Sequence, residues 1–227
     1  MAALLKAPMD KFTATERRKL LEGDSQLIIV AGSDTTAATL TSMVYELLRA
    51  PKYIDMLRDE LAPFVQGDVI DFRRIQTLPI LNGIVNETHR LHPPVPTTLS
   101  RRTPSEGIMV GDTHVPGNMT VWCPQYAIGR TESLYKDAGT FFPERWYSRP
   151  DTITDKTVFA PFSVGAYACI GKSLALQNIR NTIAEIVINF EIRTGVVDDV
   201  RSFEDKTLDH FTMGLPALRV HFDKRGC

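Results

Sequence analysis

The sequence predicts a mainly α protein with small antiparallel β-sheets. Two long stretches, 13–49 and 171–189, lack proline and carry apolar residues at helical spacing. Between residues 95 and 123, short apolar pieces alternate with glycine, proline, asparagine and aspartate, which is typical of short strands joined by tight turns. With 227 residues, of which 43% are hydrophobic and 23% charged, the composition is that of an ordinary globular protein.

Charge and cysteine content exclude several classes of function. The formal net charge is -1, so we expect no nucleic-acid partner. The three cysteines, Cys123, Cys169 and Cys227, form no CxxC pair, which argues against a disulfide framework and a zinc ribbon. The N-terminal apolar patch Ala2 to Leu5 is too brief for a signal peptide. Because no apolar run approaches the roughly 20 residues of a spanning helix, the sequence predicts no membrane anchor within this chain.

The first predicted helix covers residues 13–50. Thr13 and Glu16 have the spacing of a capping box. The stretch forms either one long helix or two abutting helices, with Gly23 as the candidate break. The segment 27–32 is apolar on every side, which predicts a helix buried all round that threads the core.

Polar residues interrupt this apolar helix at 31–36, where a glycine, an acid and three hydroxyls occur together. Hydroxyls can capture carbonyls of the preceding turn and open the helix locally, and Gly32 would leave room over the opened groove. In an apolar setting Asp34 is costly unless it is hydrogen-bonded or functional. A kinked core helix whose polar residues face a loop would give the same pattern.

Three further helices follow from apolar spacing, at 51–65, 79–91 and 171–189. The second ends at Pro93, and a proline- and aromatic-rich loop follows later at 141–162, where the aromatic residues are expected to pack rather than to stack on bases. The tail after the last helix is predicted to form weak strands and turns.

Glu87 and Arg90 lie three residues apart on one face of the 79–91 helix, among apolar neighbours that indicate burial. A buried pair is tolerable only if its other hydrogen-bonding sites are filled, and Arg145 is a candidate third member. The alternative is an ordinary surface pair. His89 and His92 imitate a metal pair, but no neighbouring cysteine or carboxylate completes a site, so packing at the helix end is favoured.

Cys169 directly precedes the helix at 171–189. The unpaired amides and the positive dipole end of a helix favour a thiolate over a thiol. Gly165 permits a turn with positive φ, and Gly171 would let a flat ligand approach the backbone closely. The same cysteine could equally be a small buried hydrophobic residue.

Taken together, these segments and their order resemble the C-terminal half of a cytochrome P450, and the resemblance covers nearly the whole chain, 1–227, as a partial domain. The continuation after the 79–91 helix and the tryptophan at 146 are more similar to eukaryotic microsomal members. The matching segments are the oxygen-groove motif 31–36, the ExxR motif 87–90, the PERF-type motif 143–146 within the meander and haem-thiolate loop 141–171, the haem loop 162–171, and the proximal helix 171–189.

The resemblance assigns roles to particular residues. It makes Cys169 the thiolate ligand of the iron of haem b, iron protoporphyrin IX, a ligand known in this family to favour O–O cleavage. Thr35 and Asp34 would relay protons on the distal face, and Arg101 would pair with a haem propionate. Glu87, Arg90 and Arg145 would form a structural triad. The other residues implied to contact the cofactor are Phe162, Gly165, Tyr167, Gly171, Ala31 and Gly32.

The implied function is a haem-thiolate monooxygenase that inserts one oxygen atom of O2 into a lipophilic organic small molecule. Electrons would come from NADPH through NADPH-cytochrome P450 reductase, and the full-length type would lie at the endoplasmic reticulum membrane. The expected pocket lining, Leu27, Ala31, 95–99 and 211–215, is apolar or small. Two alternatives stay open: a haem-thiolate isomerase or dehydratase that needs no reductase, and a truncated fragment without catalysis.

Two departures from the family pattern stand out. The residue two positions before the cysteine is usually arginine or histidine, whereas this chain has Tyr167, so a neutral phenol would replace a charge-assisted propionate contact. The N-terminal half of the family fold, with its anchor, its further propionate donors and its substrate-covering loops, is expected to be absent from this chain.

Overall fold

The computed structural model of the protein describes residues 12–67, 69–97 and 100–226. The sequence predictions on Ala2 to Leu5, Leu99 and Cys227 lie outside these ranges. The helices are α1 Ala14–Arg49, α2 Lys52–Leu61, α3 Pro79–Leu91, α4 Gln125–Gly129, α5 Lys172–Asn189, α6 Val197–Arg201 and α7 Phe203–Lys206.

The strands form small antiparallel sheets of two strands each, which confirms the predicted fold class. Unlike the prediction for the tail, two short helices, α6 and α7, precede the last hairpin, because helices of five and four residues are too short to show a period in sequence. The pairs are β1 Val65–Gln66 with β2 Val69–Ile70, β3 Arg101–Arg102 with β6 Thr120–Val121, β4 Ile108–Val110 with β5 Thr113–Val115, β7 Phe190–Thr194 with β10 Val220–Lys224, and β8 Leu208–His210 with β9 Thr212–Gly214.

Helix α1 is a single helix of 36 residues that begins at the predicted capping box. The Thr13 hydroxyl accepts the amide of Glu16, and the Thr13 amide donates to the Glu16 carboxylate at 2.8 Å. The candidate break at Gly23 is not present, since α1 continues through it as the one long helix that the sequence also allowed. The predicted local opening at 31–36 is also absent. The Thr35 hydroxyl donates to the Ala31 carbonyl at 2.7 Å within a continuous α-helix, because that carbonyl can accept two donors.

Only the C-terminal part of α1, from Ala38 to Leu47, is buried. The prediction that segment 27–32 threads the core is wrong for this chain, since Leu27 is 65% exposed and Ile29 67% exposed. The core is formed where α1, α2, α3 and α5 meet, well beyond that segment. Its central side chains include Met43, Leu47, Leu57, Leu61, Leu81, Ile84, Ile183 and Val187.

Helix α1 is also long and apolar enough, over one 18-residue window, to cross a membrane by length and composition. The sequence-based expectation concerned continuous apolar runs, so the absence of a membrane anchor within this chain stays a prediction. The finding is weak evidence for an anchor, because the core helix of a soluble protein passes the same test.

Helix α3 occupies the centre of the fold. Its first turn is held by a side chain of α2, because the two carboxylate oxygens of Glu60 accept the amides of Ile80 and Leu81, each at 2.8 Å. Gly83 lets the loop at 143–147 approach closely, since a Cβ there would lie 2.8 Å from the Tyr147 ring. Helix α3 therefore connects the helical core to that loop.

We expect the 227-residue chain to self-associate through the exposed apolar part of α1. Replacing Leu27 and Ile29 together by Gln should shift the chain towards the monomer in size exclusion with light scattering. The melting temperature should change little, because these side chains are 65% and 67% exposed in the described fold. The matched control, Val69→Gln, changes an isolated residue that is 70% exposed and should leave association unchanged. A wild-type chain that is monomeric at all concentrations would contradict this expectation.

Candidate functional site

The predicted triad of Glu87, Arg90 and Arg145 is buried, and its three side chains contact one another. Glu87 and Arg145 are fully buried and Arg90 is 2% exposed, so the alternative of a surface pair is wrong. Arg90 binds the Glu87 carboxylate through two nitrogens at 2.7 and 2.9 Å, and Arg145 Nε lies 2.9 Å from the same carboxylate. The Trp146 indole and the Phe142 amide add hydrogen bonds of 2.8 and 2.9 Å. Five donors thus satisfy one carboxylate.

Backbone carbonyls accept hydrogen bonds from most of the remaining N–H groups of the two arginines. Two guanidinium groups on one carboxylate leave an excess positive charge, and dipoles of carbonyl groups offset it in the absence of water. The carbonyls that Arg90 contacts belong to Gly129, Ala138 and Thr140, and those that Arg145 contacts belong to Lys136, Asp137 and Thr152. The triad therefore fixes the whole course of the chain from 129 to 152.

Cys169 is exposed at the N-terminal end of α5, so its interpretation as a buried hydrophobic residue is wrong. Its amide donates to the Phe162 carbonyl at 2.8 Å, which closes the loop 162–169. Gly165 has φ +77°, the left-handed conformation that glycine adopts without strain. A Cβ at Gly171 would meet only the Cys169 sulfur, at 3.7 Å, so this face of the loop is open.

His89 connects this loop to α3, a contact that the sequence analysis missed. The imidazole is buried and its centroid lies 5.2 Å from that of Phe162, the first residue of the loop. Its Nδ1 lies 2.9 Å from the Val85 carbonyl, which can only accept, so Nδ1 carries the hydrogen. Burial lowers the pKa of His89 to about 4, so the ring is neutral near pH 7.

Arg101 reaches the same loop from the sheet formed by β3 and β6. Its guanidinium carbon lies over the Tyr167 ring, 5.4 Å from the centroid, and its Nη1 donates to the Ser100 carbonyl at 3.2 Å. The structure thus brings together two of the residues that the resemblance assigned to the cofactor.

The residues that the resemblance assigned to the distal face of the haem lie on the solvent-exposed part of α1. Ala31, Gly32 and Asp34 are exposed and Thr35 is partly buried. The apolar burial expected around Asp34 is therefore not found in this chain. A Cβ at Gly32 would meet no atom within 4 Å, which leaves the space beside the helix open.

His89 and His92 contact different partners, the Val85 carbonyl and the Glu46 carboxylate. Contrary to the sequence analysis, carboxylates do lie near His92, since its Nε2 is 2.7 Å from Glu46 and Glu204 is close by. Arg49 lies 3.4 Å from the Glu46 carboxylate and 3.3 Å from the Glu204 carboxylate, so a guanidinium already supplies the positive charge there. Glu46 and Glu204 lie far from His92 in sequence, and no local pattern indicates this contact.

The residues present fit a haem. An exposed thiol stands at a helix N-terminus, its loop carries the exposed apolar side chains of Val164 and Ile170, and a guanidinium lies against the loop. Such a surface would accept a flat apolar macrocycle with anionic edges and a thiolate-ligated iron. A mainly helical fold with this loop and a buried ExxR triad is that of a haem-thiolate protein.

The chain belongs to the cytochrome P450 family, whose family model, Cytochrome P450, matches residues 10–221. It is 46% identical to cytochrome P450 monooxygenase notG' of Aspergillus versicolor, with 100% of this chain and 42% of the relative covered. It is 47% identical to a tryprostatin B 6-hydroxylase of Aspergillus fumigatus, with 98% of this chain and 40% of the relative covered.

Solved structures agree with this assignment. The crystal structure of the cytochrome P450 CYP102L1 has a TM-score of 0.76 and 25% identity, and the match covers 88% of this chain and 44% of that one. The chain therefore spans well under half of the length of these curated relatives and of this solved structure.

Replacing Glu87 by Ala should lower the free energy of unfolding by about 3–5 kcal/mol, because it strands Arg90 and Arg145 as buried charges. Urea denaturation monitored by circular dichroism measures the loss. The control Glu22→Ala removes an exposed carboxylate paired with Arg18 and should cost less than about 1 kcal/mol. Equal stability of the two variants would place the Glu87 pair on the surface.

Stability should fall as the pH drops from about 6.5 to about 4 through His89. In this range the unfolded chain binds a proton that the buried imidazole excludes, so the native state loses about 3 kcal/mol by pH 4. His89→Leu should remove this part of the pH dependence in urea denaturation, whereas the exposed His114→Leu should not. If both variants kept the wild-type slope, His89 would not be neutral in the fold.

Proposed function

We propose that this chain is the haem-binding part of a monooxygenase that inserts one oxygen atom of O2 into a lipophilic organic molecule. The observation that carries the proposal is the exposed Cys169 thiol, held at the start of α5 by a loop that packs on the ExxR helix. Relatives named as monooxygenases and hydroxylases support the reaction class.

Cys169 would be the protein ligand of the iron, and the cofactor would be haem b. This ligand would stand at the N-terminal end of α5, where its sulfur is exposed. Arg101 would bind a propionate, while Phe162, Gly165, Tyr167 and Gly171 would shape the face of the loop. When bound, the haem would supply one-electron reduction and dioxygen activation.

Asp34 and Thr35 would deliver protons on the face of the haem opposite to Cys169. On that side Ala31 and Gly32 leave room beside α1. The Asp34 carboxylate is exposed in this chain. In the structure the Thr35 hydroxyl donates its hydrogen bond to the Ala31 carbonyl at 2.7 Å. If the hydroxyl rotated, it would donate towards the open side of the helix, and its oxygen would still be able to accept a hydrogen bond. The pair would thus pass protons from water into the groove.

Electrons would come from NADPH through NADPH-cytochrome P450 reductase, at the endoplasmic reticulum membrane, as in the microsomal members that the sequence resembles. A haem-thiolate isomerase or dehydratase would need neither the reductase nor proton delivery. The Asp34 and Thr35 pair therefore favours oxygen activation over those reactions.

Changing Cys169 to Ser should abolish the thiolate signature in the carbon monoxide difference spectrum of the reduced, haem-reconstituted protein. A serine hydroxyl is a far poorer electron donor to iron than a thiolate. Cys123→Ser, which alters the other exposed cysteine of the described residues, should keep the signature.

Two results would count against the proposal. A thiolate spectrum that survives in the Cys169 variant and disappears in the Cys123 variant would overturn the ligand assignment. A wild-type chain that shows no thiolate spectrum at saturating haem would instead favour a fragment without catalysis.

A further inference from the structure

We propose that His89 is a positioning residue for the haem loop: it fixes the ring of Phe162 and, through the backbone of Phe162, the orientation of Cys169. The inference deepens the proposed function, because it rests on Cys169 as the ligand of the iron. It concerns a position inside the ExxR motif to which the resemblance assigns no role.

The loop needs an anchor because its own backbone is strained and its side chains are in solvent. Residues 163–170 are all exposed. Ser163 has φ +57° and Gly165 has φ +77°, and the left-handed conformation costs free energy in a serine, although it does not in a glycine. Such a loop keeps one conformation only if neighbouring contacts hold it there.

Phe162 provides those contacts at the start of the loop. Its ring centroid lies 5.2 Å from that of His89 in α3 and 5.9 Å from Nζ of Lys172, the first residue of α5. The Phe162 carbonyl accepts the Cys169 amide at 2.8 Å. A displacement of Phe162 would therefore be passed on to Cys169 through one hydrogen bond.

His89 is the firmer of the two neighbours of this ring. Lys172 is exposed, so its cation–π contact is weak, whereas His89 is buried. The Nδ1–H of His89 donates to the Val85 carbonyl at 2.9 Å, one turn earlier in α3, and this bond fixes the plane of the imidazole. The two rings meet at 54°, and a tilted ring pair is stabilised beyond the burial of its apolar area.

Amide hydrogen exchange in the haem-free chain tests this role at Cys169 itself. In His89→Leu, which fills the space without a ring, exchange of the Cys169 amide should become about three- to ten-fold faster, as expected when a ring pair that restrains a local opening is lost. His89→Phe retains a ring and should change the rate by less than about two-fold. NMR of the 15N-labelled chain measures both rates.

Thr88→Val is the matched control. Thr88 is fully buried in the same helix, and its hydroxyl donates to the Ile84 carbonyl at 2.9 Å, so this variant loses the same kind of hydrogen bond one residue away. It should leave exchange at Cys169 unchanged. An equal increase in Thr88→Val would overturn the proposal in favour of general destabilisation. An equal increase in His89→Phe would overturn the role of the ring, and no increase in His89→Leu would overturn the proposal outright.

The haem-reconstituted chain tests the consequence for the ligand. In His89→Leu the ratio of carbon monoxide complex without the thiolate signature to complex with it should rise about three- to ten-fold, and His89→Phe should restore the wild-type ratio. An unchanged ratio, with faster exchange at Cys169, would overturn the role towards haem. If no chain, wild type included, gives a thiolate signature, the proposed function fails, whereas the exchange rates still decide whether His89 positions Cys169.

Discussion

The fold depends on one buried carboxylate. Glu87 is fully buried, and five hydrogen-bond donors of the protein, three of them from two arginines, contact its carboxylate. A buried charge of this kind is stable only in an arrangement that satisfies every partner, and here the partners come from α3 and from the chain between 129 and 152. The haem loop rests on the same helix through His89 and Phe162. Cys169 is therefore carried by a loop that packs on the same helix as Glu87.

The long elements could be predicted from the sequence because their period persists over many residues. The predicted bounds 79–91 and 171–189 lie within one residue of the observed ones, and the capping box at Thr13 gives the start of α1. Burial of segment 27–32 could not be predicted correctly. Apolar composition shows that a surface needs a partner, but it does not show whether the partner is part of the same chain.

Some features of the candidate site could likewise be predicted from the sequence, and others could not. Cys169 and the pair of Glu87 and Arg90 could be identified from the sequence because each lies in a short motif with a local physical reason. Arg145, which lies 58 positions from Glu87, was only a candidate third member. The contacts of His92 with Glu46 and of Arg101 with Tyr167 join residues 46 and 66 positions apart, and only the folded chain brings them together. Glycine and cysteine in the loop likewise predicted a turn, while the exposure of the sulfur followed from the packing around it.

The hydrogen bonds from the amides of Ile80 and Leu81 to the Glu60 carboxylate also determine the rotation of α3 about its own axis. A helix turns about 100° per residue, so a start displaced by one residue would rotate every later side chain by that angle. Glu87 and Arg90 would then leave the loop and His89 would leave Phe162. Through these hydrogen bonds α2 sets the direction in which Glu87 and His89 point, about two turns further along α3. The alignment of the site therefore depends on a contact that lies outside it.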